Sequence, residues 1–348
     1  MIRVSKNYKL IKLYKEVICT IVGHEYKTWL PTEAILAKIR ANEDLIPMMH
    51  VLVAIATSFE FSITEDERDF FFNFLAEILP DLNLLRQRNT DSELIYLMMK
   101  FLWKAAHYEI NDTVKKLMSE WMDLIAMIVN LSNPQFDNNI NEPEAKGTPE
   151  FFYFHTKKWA TRVLLRFLQK HAKSTFVKKN EKNKEFNKYW YGNFGQKFVE
   201  ILIHQFSVPT IKKTRYFQFK CIHALINEKP NEIKQFAKLF QEEILLKYMT
   251  LQPEDEELAQ EDPLEFLNKE TEPSINYTNL KRASTDVWVA FAELGSEPEK
   301  KNSPYQPGTY FYNSMKYLKE KLEGANLIEK EMAMYLICEL RSPIMKCK

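Results

Sequence analysis

Charged side chains cluster at two places in the sequence, and ion pairing with an oppositely charged partner is the chemistry they could perform. Between residues 157 and 188 there are eleven Lys or Arg residues and two acidic residues. From Lys158 to Lys170 four of these cations recur every four residues, which places them on one face of a helix. The basic face is defined by Lys157, Lys158, Arg162, Arg166 and Lys170. It either is a solvated surface or binds an acidic protein or nucleic acid.

The opposite charge dominates residues 254–272, where nine carboxylates are opposed by Lys269 alone. The candidate docking site consists of Glu254, Asp255, Glu256, Glu257, Glu261, Asp262 and Glu265. Like charges at this density repel each other, so the segment is stable when it is extended in solvent or screened by a cationic partner. It is therefore either a solvated linker or a docking loop for a basic surface. A metal site is a weak alternative, because the spacing matches no EF-hand loop and lacks the turn glycine.

The sequence contains no arrangement of residues suited to catalysis or cofactor binding. The HExxH, GxSxG and phosphate-loop motifs are absent. None of the seven histidines stands at ligand spacing from another, and the four cysteines are scattered, which favours a reducing compartment. The sequence therefore predicts a non-catalytic protein without a cofactor or a metal.

The elements that must position these charges are helices. Apolar residues recur at spacings of three and four, which predicts about a dozen amphipathic helices. With only 7 glycines in 348 residues, nucleotide-binding loops and turn-rich β folds are disfavoured. A capping box of Thr64 and Glu67 and an N-cap of Thr148 followed by Pro149 are predicted, and Pro80 is predicted to end its helix. The predicted helices cover about residues 7–22, 32–41, 43–59, 64–80, 92–107, 112–131, 149–172, 184–206, 212–227, 231–249, 277–294, 310–322 and 327–340.

Helices of this length with short links fit stacked helix pairs, whose period near 40 residues is typical of HEAT-like or armadillo-like repeats. The predicted fold is all-α, a HEAT-like (armadillo-type) α-solenoid of about six helix pairs. In such arrays function lies mainly on concave surfaces and in loops that interrupt the period. The predicted organisation is HEAT-like helices over 1–131, a polar loop over 132–147, helices carrying the basic face over 148–250, an acidic loop insertion over 251–274, and helices of a truncated array over 275–348.

Residues 253–267 read PEDEELAQEDPLEFL, and this segment resembles the acidic loop of the importin-β superfamily of nuclear transport receptors, the karyopherins. The pattern in the branch of importins seven and eight is DEDEELWQEDPYEYI, and Ala259 stands where that branch has tryptophan. A second block, KKWA at 157–160 with Arg166 six positions later, resembles the same branch. Weaker similarity extends from about residue 90 to the end, so the chain resembles an interior fragment of a receptor.

The resemblance implies a HEAT solenoid that acts in protein import into the nucleus. Its implied partners are Ran GTPase, basic cargo proteins such as ribosomal proteins and histones, and nuclear pore repeats, with the acidic loop docking Ran or basic cargo. The implied location is the cytoplasm, the nucleus and the nuclear envelope. A net charge of +1 disfavours nucleic acid as a partner, and the longest apolar run is too short for membrane insertion. The alternative is a HEAT-repeat scaffold for protein assembly that binds neither Ran nor pore repeats.

Overall fold

The computed structural model describes residues 8–29, 32–61, 64–88, 90–107, 115–137, 143, 145–172, 181–249, 257–258, 260–265, 279–294, 309–324 and 326–341. All regular secondary structure in these ranges is helical, which confirms the predicted all-α class. Within the same ranges, no helix combines the length and the apolar character that crossing a membrane requires.

We number the helices in chain order. They are α1 (Tyr8–Trp29), α2 (Thr32–Ala41), α3 (Leu45–Ser58), α4 (Glu65–Arg88), α5 (Ser92–Ala105), α6 (Met118–Val129), α7 (Pro149–Arg166), α8 (Glu181–Trp190), α9 (Gln196–Gln205), α10 (Lys212–Glu228), α11 (the irregular helical run 230–249), α12 (Leu280–Ala292), α13 (Tyr310–Glu323) and α14 (Leu327–Glu339). Helix α7 continues as a π-helical turn, Phe167–His171, and a second π-helical turn, Tyr191–Gly195, joins α8 to α9.

Both predicted helix caps are confirmed. At the start of α4, the hydroxyl of Thr64 accepts a hydrogen bond from the backbone N–H of Glu67, and the Glu67 carboxylate accepts one from the N–H of Thr64, each at 3.3 Å. At the start of α7, the Thr148 hydroxyl accepts from the N–H of Phe151 at 3.1 Å, and Pro149 takes the first helical position. These bonds satisfy N–H groups that the first turn of a helix otherwise leaves without a partner.

The prediction that Pro80 ends its helix is wrong, because α4 continues to Arg88. Pro80 lies on the exposed side of α4, while Leu79 before it and Leu82 after it are buried. A proline inside a helix costs about 3 kcal/mol. Each fully buried leucine contributes about 1.5–3 kcal/mol, so burial on both sides of Pro80 outweighs the cost of the lost backbone hydrogen bond.

The chain forms two compact units, Met1–Thr214 and Arg215–Lys348. In the first unit, α1, α3, α5 and α7 pack side by side in chain order, α2 packs against α4, and α6 packs against α7 and α9. Ion pairs also join α2 to α4 and α6 to α9. Arg40 of α2 binds Asp81 of α4 at 2.9 Å, and Lys197 of α9 binds Asp123 of α6 at 2.7 Å. Successive helices therefore alternate between two rows, as in HEAT-like repeats.

In the second unit, α12 packs against α11, α13 and α14, and α13 packs against α14. Asp286 of α12 binds Lys220 of α10 at 2.7 Å and Arg282 of its own helix at 3.2 Å. Arg282 also binds Glu339 of α14 at 2.8 Å. This line of charges joins every second helix, which again places successive helices in two rows. The predicted HEAT-like packing is therefore confirmed.

Candidate partner-binding surfaces

The acidic segment is described at residues 257–258 and 260–265, and Glu254, Asp255 and Glu256 lie outside the described residues. Its described carboxylates are all exposed, and they form no ion pair with another described residue. They belong to Glu257, Glu261, Asp262 and Glu265. These side chains are therefore accessible to a partner.

Asp262 gives the acidic segment a local turn. Its Oδ1 accepts hydrogen bonds from the backbone N–H groups of Leu264, at 3.1 Å, and Glu265, at 2.9 Å. Its own N–H donates to the carbonyl oxygen of Leu258 at 2.8 Å. Leu264 is 69% exposed. The segment thus presents carboxylates together with one apolar side chain, a combination suited to a cationic protein surface.

Lys157 does not lie on the exposed basic face to which the sequence analysis assigned it. Its side chain is fully buried, and its ammonium donates a hydrogen bond to the carbonyl oxygen of Leu131 at 2.7 Å. One turn earlier, the Tyr153 hydroxyl donates to Asp137 at 2.7 Å, and Asp137 also accepts from the Ser132 hydroxyl at 2.8 Å. Burial, followed by the bond to Asp137, raises the pKa of Tyr153. The hydrogen bonds of Lys157 and Tyr153 therefore hold the start of the polar loop against α7.

The two arginines of the basic face stack on Trp103 of α5. The guanidinium carbons of Arg162 and Arg166 lie 4.0 and 3.9 Å from the centroid of the Trp103 ring. Arg162 is also 4.4 Å from the ring of Trp159, whose centroid is 5.1 Å from that of Trp103. Desolvated cation–π contacts of this kind stabilise by about 0.5–2 kcal/mol each. The KKWA block and Arg166 therefore build the packing between α5 and α7.

Glu60 is the carboxylate that balances this cation cluster. Its side chain is 5% exposed, its Oε2 accepts directly from the Lys104 ammonium, and its Oε1 lies 3.8 Å from Arg166. Burial, followed by the charge of Arg166, lowers the pKa of Arg162 to about 10, and the charge of Glu60 opposes this shift.

The sequence analysis missed Glu60, Lys104 and Trp103 because each meets its partner from a distant part of the chain. Glu60 and Lys104 are 44 residues apart, and Trp103 and Arg166 are 63 residues apart. Helical periodicity relates residues within a few turns only, so no local pattern marks these contacts.

The cations of the basic face other than Lys157 reach the surface with partly exposed side chains: Lys158, Arg162, Arg166 and Lys170. The lysine-rich residues 173–180, which extend this face in the sequence, lie outside the described residues. Within the described part of the chain, the acidic segment is consequently the more accessible of the two charged surfaces.

Comparison with known proteins identifies the relatives of this chain. No family model matches it. Its sequence is 22% identical to importin-8 of Mus musculus over 190 residues and 23% identical to importin-8 of Danio rerio over 237 residues. The alignments cover 52% and 62% of the chain and 18% and 23% of the two relatives. The chain therefore matches less than a quarter of the length of these relatives.

The fold has a counterpart among solved structures, the exportin Cse1 in its cargo-free, cytoplasmic state. The TM-score is 0.69 at 16% sequence identity, and the match covers 97% of this chain and 36% of that one. This likeness shows the shared helical solenoid. Together with the sequence similarity to importin-8, it makes the chain similar to the importin-β superfamily in both sequence and fold. In this chain the acidic segment is exposed, whereas Arg162 and Arg166, which follow the KKWA block, serve internal packing.

His171, which is buried next to the cation cluster, is expected to make the stability of this chain depend on pH. Its Nε2 lies 2.9 Å from the carbonyl oxygen of Ala106. Burial lowers the pKa of His171 to about 4, and the charges of Lys170 and Arg166 add to the shift. The unfolded chain, with a histidine pKa near 6.5, binds the proton more tightly than the folded chain.

We therefore expect the free energy of unfolding to fall as the pH drops from about 6.5 to about 4. The contribution of His171 is fully present above this range and is lost within it. Urea unfolding of the wild type and of His171→Gln at several pH values measures the effect, and the variant should show a shallower decline. Parallel pH profiles for the two proteins would show that His171 does not contribute.

Proposed function

We propose that this chain is part of a nuclear transport receptor and that its acidic segment binds Ran GTPase or a basic cargo protein, such as a ribosomal protein or a histone. The observation that carries the proposal is the exposure of the described carboxylates of the acidic segment, none of which is paired with another described residue. The similarity to importin-8 supports a transport role. The receptor would act between cytoplasm and nucleus, and at the nuclear envelope through contacts with pore repeats.

The proposed role is binding without catalysis. Among the described residues, no group of three or more His, Cys, Asp or Glu side chains could hold a metal ion. Exposed carboxylates attract a cationic surface over a distance of about 8–10 Å at physiological salt, and each exposed ion pair contributes about 0.2–1 kcal/mol. Four such pairs would together change the affinity by roughly tenfold. They would also make the affinity depend strongly on salt.

The test compares two variants that remove the same charges from different places. The segment variant carries Glu257→Gln, Glu261→Gln, Asp262→Asn and Glu265→Gln. The control variant carries Glu33→Gln, Asp69→Asn, Glu77→Gln and Glu185→Gln, all at exposed positions of helices. Binding to Ran loaded with GTP or GDP and to a histone is measured by titration at low and at physiological salt. We expect the segment variant to lose roughly tenfold in affinity and to show a weaker salt dependence, and the control to change little.

The alternative results have distinct meanings. An equal loss in both variants would mean that net charge, and not the acidic segment, attracts the partner, which contradicts the proposal. If the wild-type chain binds neither form of Ran and no basic protein at low salt, the transport proposal fails. The HEAT-repeat scaffold would then be the better description of this chain.

A further inference from the structure

A cleft in the first unit collects lysines without a matching number of carboxylates. It has a volume of about 280 Å³ and lies between α1, α3, α5 and the start of α7. Lys12 and Lys15 of α1, Lys100 of α5 and Lys146, just before α7, line it. Its only acidic lining residue among the described residues is Glu93. Four cations and one anion around a partly enclosed space create a positive potential there.

Two of these lysines are in surroundings that disfavour their charge. Burial, followed by the charge of Lys100, lowers the pKa of Lys15 to about 8. Burial, followed by the charges of Lys104 and Arg162, lowers the pKa of Lys100. Neither Lys15 nor Lys100 has a carboxylate within ion-pair distance among the described residues. The charge of Glu93 opposes the lowered pKa of Lys15 only in part. An anion in the cleft would therefore relieve the repulsion that remains.

The other two lysines stand nearer to solvent. Lys146 is exposed and forms no ion pair with a described residue. Lys12 lies 3.8 Å from Glu16, and both side chains are largely exposed. An exposed pair of this kind contributes little free energy, so Lys12 can turn to an incoming anion at small cost.

His50 of α3 also lines the cleft and lacks a hydrogen-bond partner. It is 4% exposed, and neither ring nitrogen makes a hydrogen bond with a described residue. Its Nε2 lies 3.9 Å from Glu93, beyond hydrogen-bond distance. Burial, followed by the charges of Lys15 and Lys100, lowers the pKa of His50 to about 3. The ring is therefore neutral and keeps one N–H group that can donate to a ligand. A buried donor without a partner costs about 1–3 kcal/mol, which a bound anion would offset.

We infer that this cleft binds a phosphate group, with Lys15 and Lys100 supplying the charge, His50 donating a hydrogen bond, and Lys12 and Lys146 closing the outer side. A phosphate carries nearly two negative charges at pH 7, so it matches several lysines better than a single carboxylate does. Lysine binds phosphate as a point charge, whereas planar carboxylates are matched by the fork of arginine, and no described arginine lines the cleft. The inference does not depend on the proposed transport function.

The phosphate could be free or carried as a monoester on a peptide, and the experiment separates these sources. Inorganic phosphate, a phosphoserine peptide, and the same peptide with serine or glutamate in place of phosphoserine are titrated against the full chain by calorimetry at low salt. We expect saturable binding of phosphate with a Kd on the order of 0.1–1 mM. Binding of the phosphoserine peptide at least about tenfold tighter than free phosphate would identify a peptide-borne phosphate. Equal or weaker binding would identify the free anion.

The charge requirement is tested with a double substitution and a matched control. Lys15→Met with Lys100→Met is expected to weaken phosphate binding by about tenfold or more. Lys116→Met with Lys188→Met, at exposed positions, should change it by less than about twofold. Because the first variant removes two half-buried cations that repel each other, its thermal unfolding temperature should equal or exceed that of the wild type. A loss of affinity then cannot be ascribed to misfolding.

Three results would overturn the inference. One is the absence of saturable phosphate binding to the wild type at low salt. Another is unchanged binding in the Lys15 and Lys100 variant. The third arises where the phosphoserine peptide binds more tightly than free phosphate, and it is a glutamate peptide that binds as tightly as the phosphoserine peptide. This result would show that the cleft does not select a phosphate.

Discussion

Replacing Glu60 with glutamine is expected to lower the free energy of unfolding by about 3 kcal/mol. Glutamine keeps the shape of the side chain and an acceptor oxygen for Lys104, but it removes the negative charge. The side chains of Lys104 and Arg166 are only 14% and 16% exposed, so water cannot fully replace that charge. The variant would leave Lys104 and Arg166 as half-buried cations without the negative charge that Glu60 supplies to both.

Urea unfolding followed by circular dichroism measures the effect of this change. Glu77→Gln is a suitable control, because Glu77 is exposed on α4 and a surface change of this kind usually alters stability by less than about 0.5 kcal/mol. If Glu60→Gln and Glu77→Gln have equal effects, the charge of Glu60 is not needed to hold the cluster on Trp103. The stacking geometry alone would then account for the packing between α5 and α7.

The second large effect is expected in the other unit, where Trp288→Ala should lower the free energy of unfolding by about 4 kcal/mol. Trp288 lies on α12 and is fully buried. Its carbonyl oxygen accepts from the Gln241 side chain at 3.3 Å, and the same side-chain nitrogen donates to Ser314 at 2.9 Å. Trp288 thus lies where α11, α12 and α13 meet. Alanine would leave a cavity at this point, and neighbouring side chains can fill such a cavity only in part.

A phenylalanine substitution separates volume from hydrogen bonding at the same position. The Trp288 Nε1 has no hydrogen-bond partner among the described residues, so Trp288→Phe loses volume and no bond to that nitrogen. We expect it to cost less than half as much as alanine. Leu327→Ala, at a position that is 78% exposed, should have almost no effect. A cost for alanine as small as that for Leu327→Ala would mean that α12 is not held by this side chain.

Local sequence rules correctly predicted those structural elements of this chain whose cause lies within a few residues of sequence. The capping pairs at Thr64 and Thr148 involve residues three positions apart, and the structure confirms both. The same kind of rule failed at Pro80, where burial of the residues around it decides the outcome. The strength of that burial depends on the neighbouring helices, which a rule about one residue and its neighbour in sequence does not include.

The two candidate binding surfaces differ in the same way, because local sequence predicts one of them and not the other. The acidic segment could be found from composition and from its resemblance to one family, since a run of carboxylates is defined by the sequence alone. The placement of the basic cations could not be found in this way. Helical spacing correctly put Arg162 and Arg166 on one face. Helical spacing could not predict that this face contacts Trp103 and Glu60. Residues predicted to form a surface therefore take part in the packing between α5 and α7.

By itself, the sequence determined the helical class, the repeat-like organisation and the resemblance to one family, because helix periodicity and a contiguous motif are properties of residues close together in the chain. Only the tertiary structure decided that Lys157 is buried, that Glu60 balances the arginines, and that Lys15, Lys100, Lys146 and His50 surround one cleft. Those residues come from helices far apart in the sequence. Their proximity arises from how α1, α3, α5 and α7 stack, and the free energy of burying apolar faces sets that stacking.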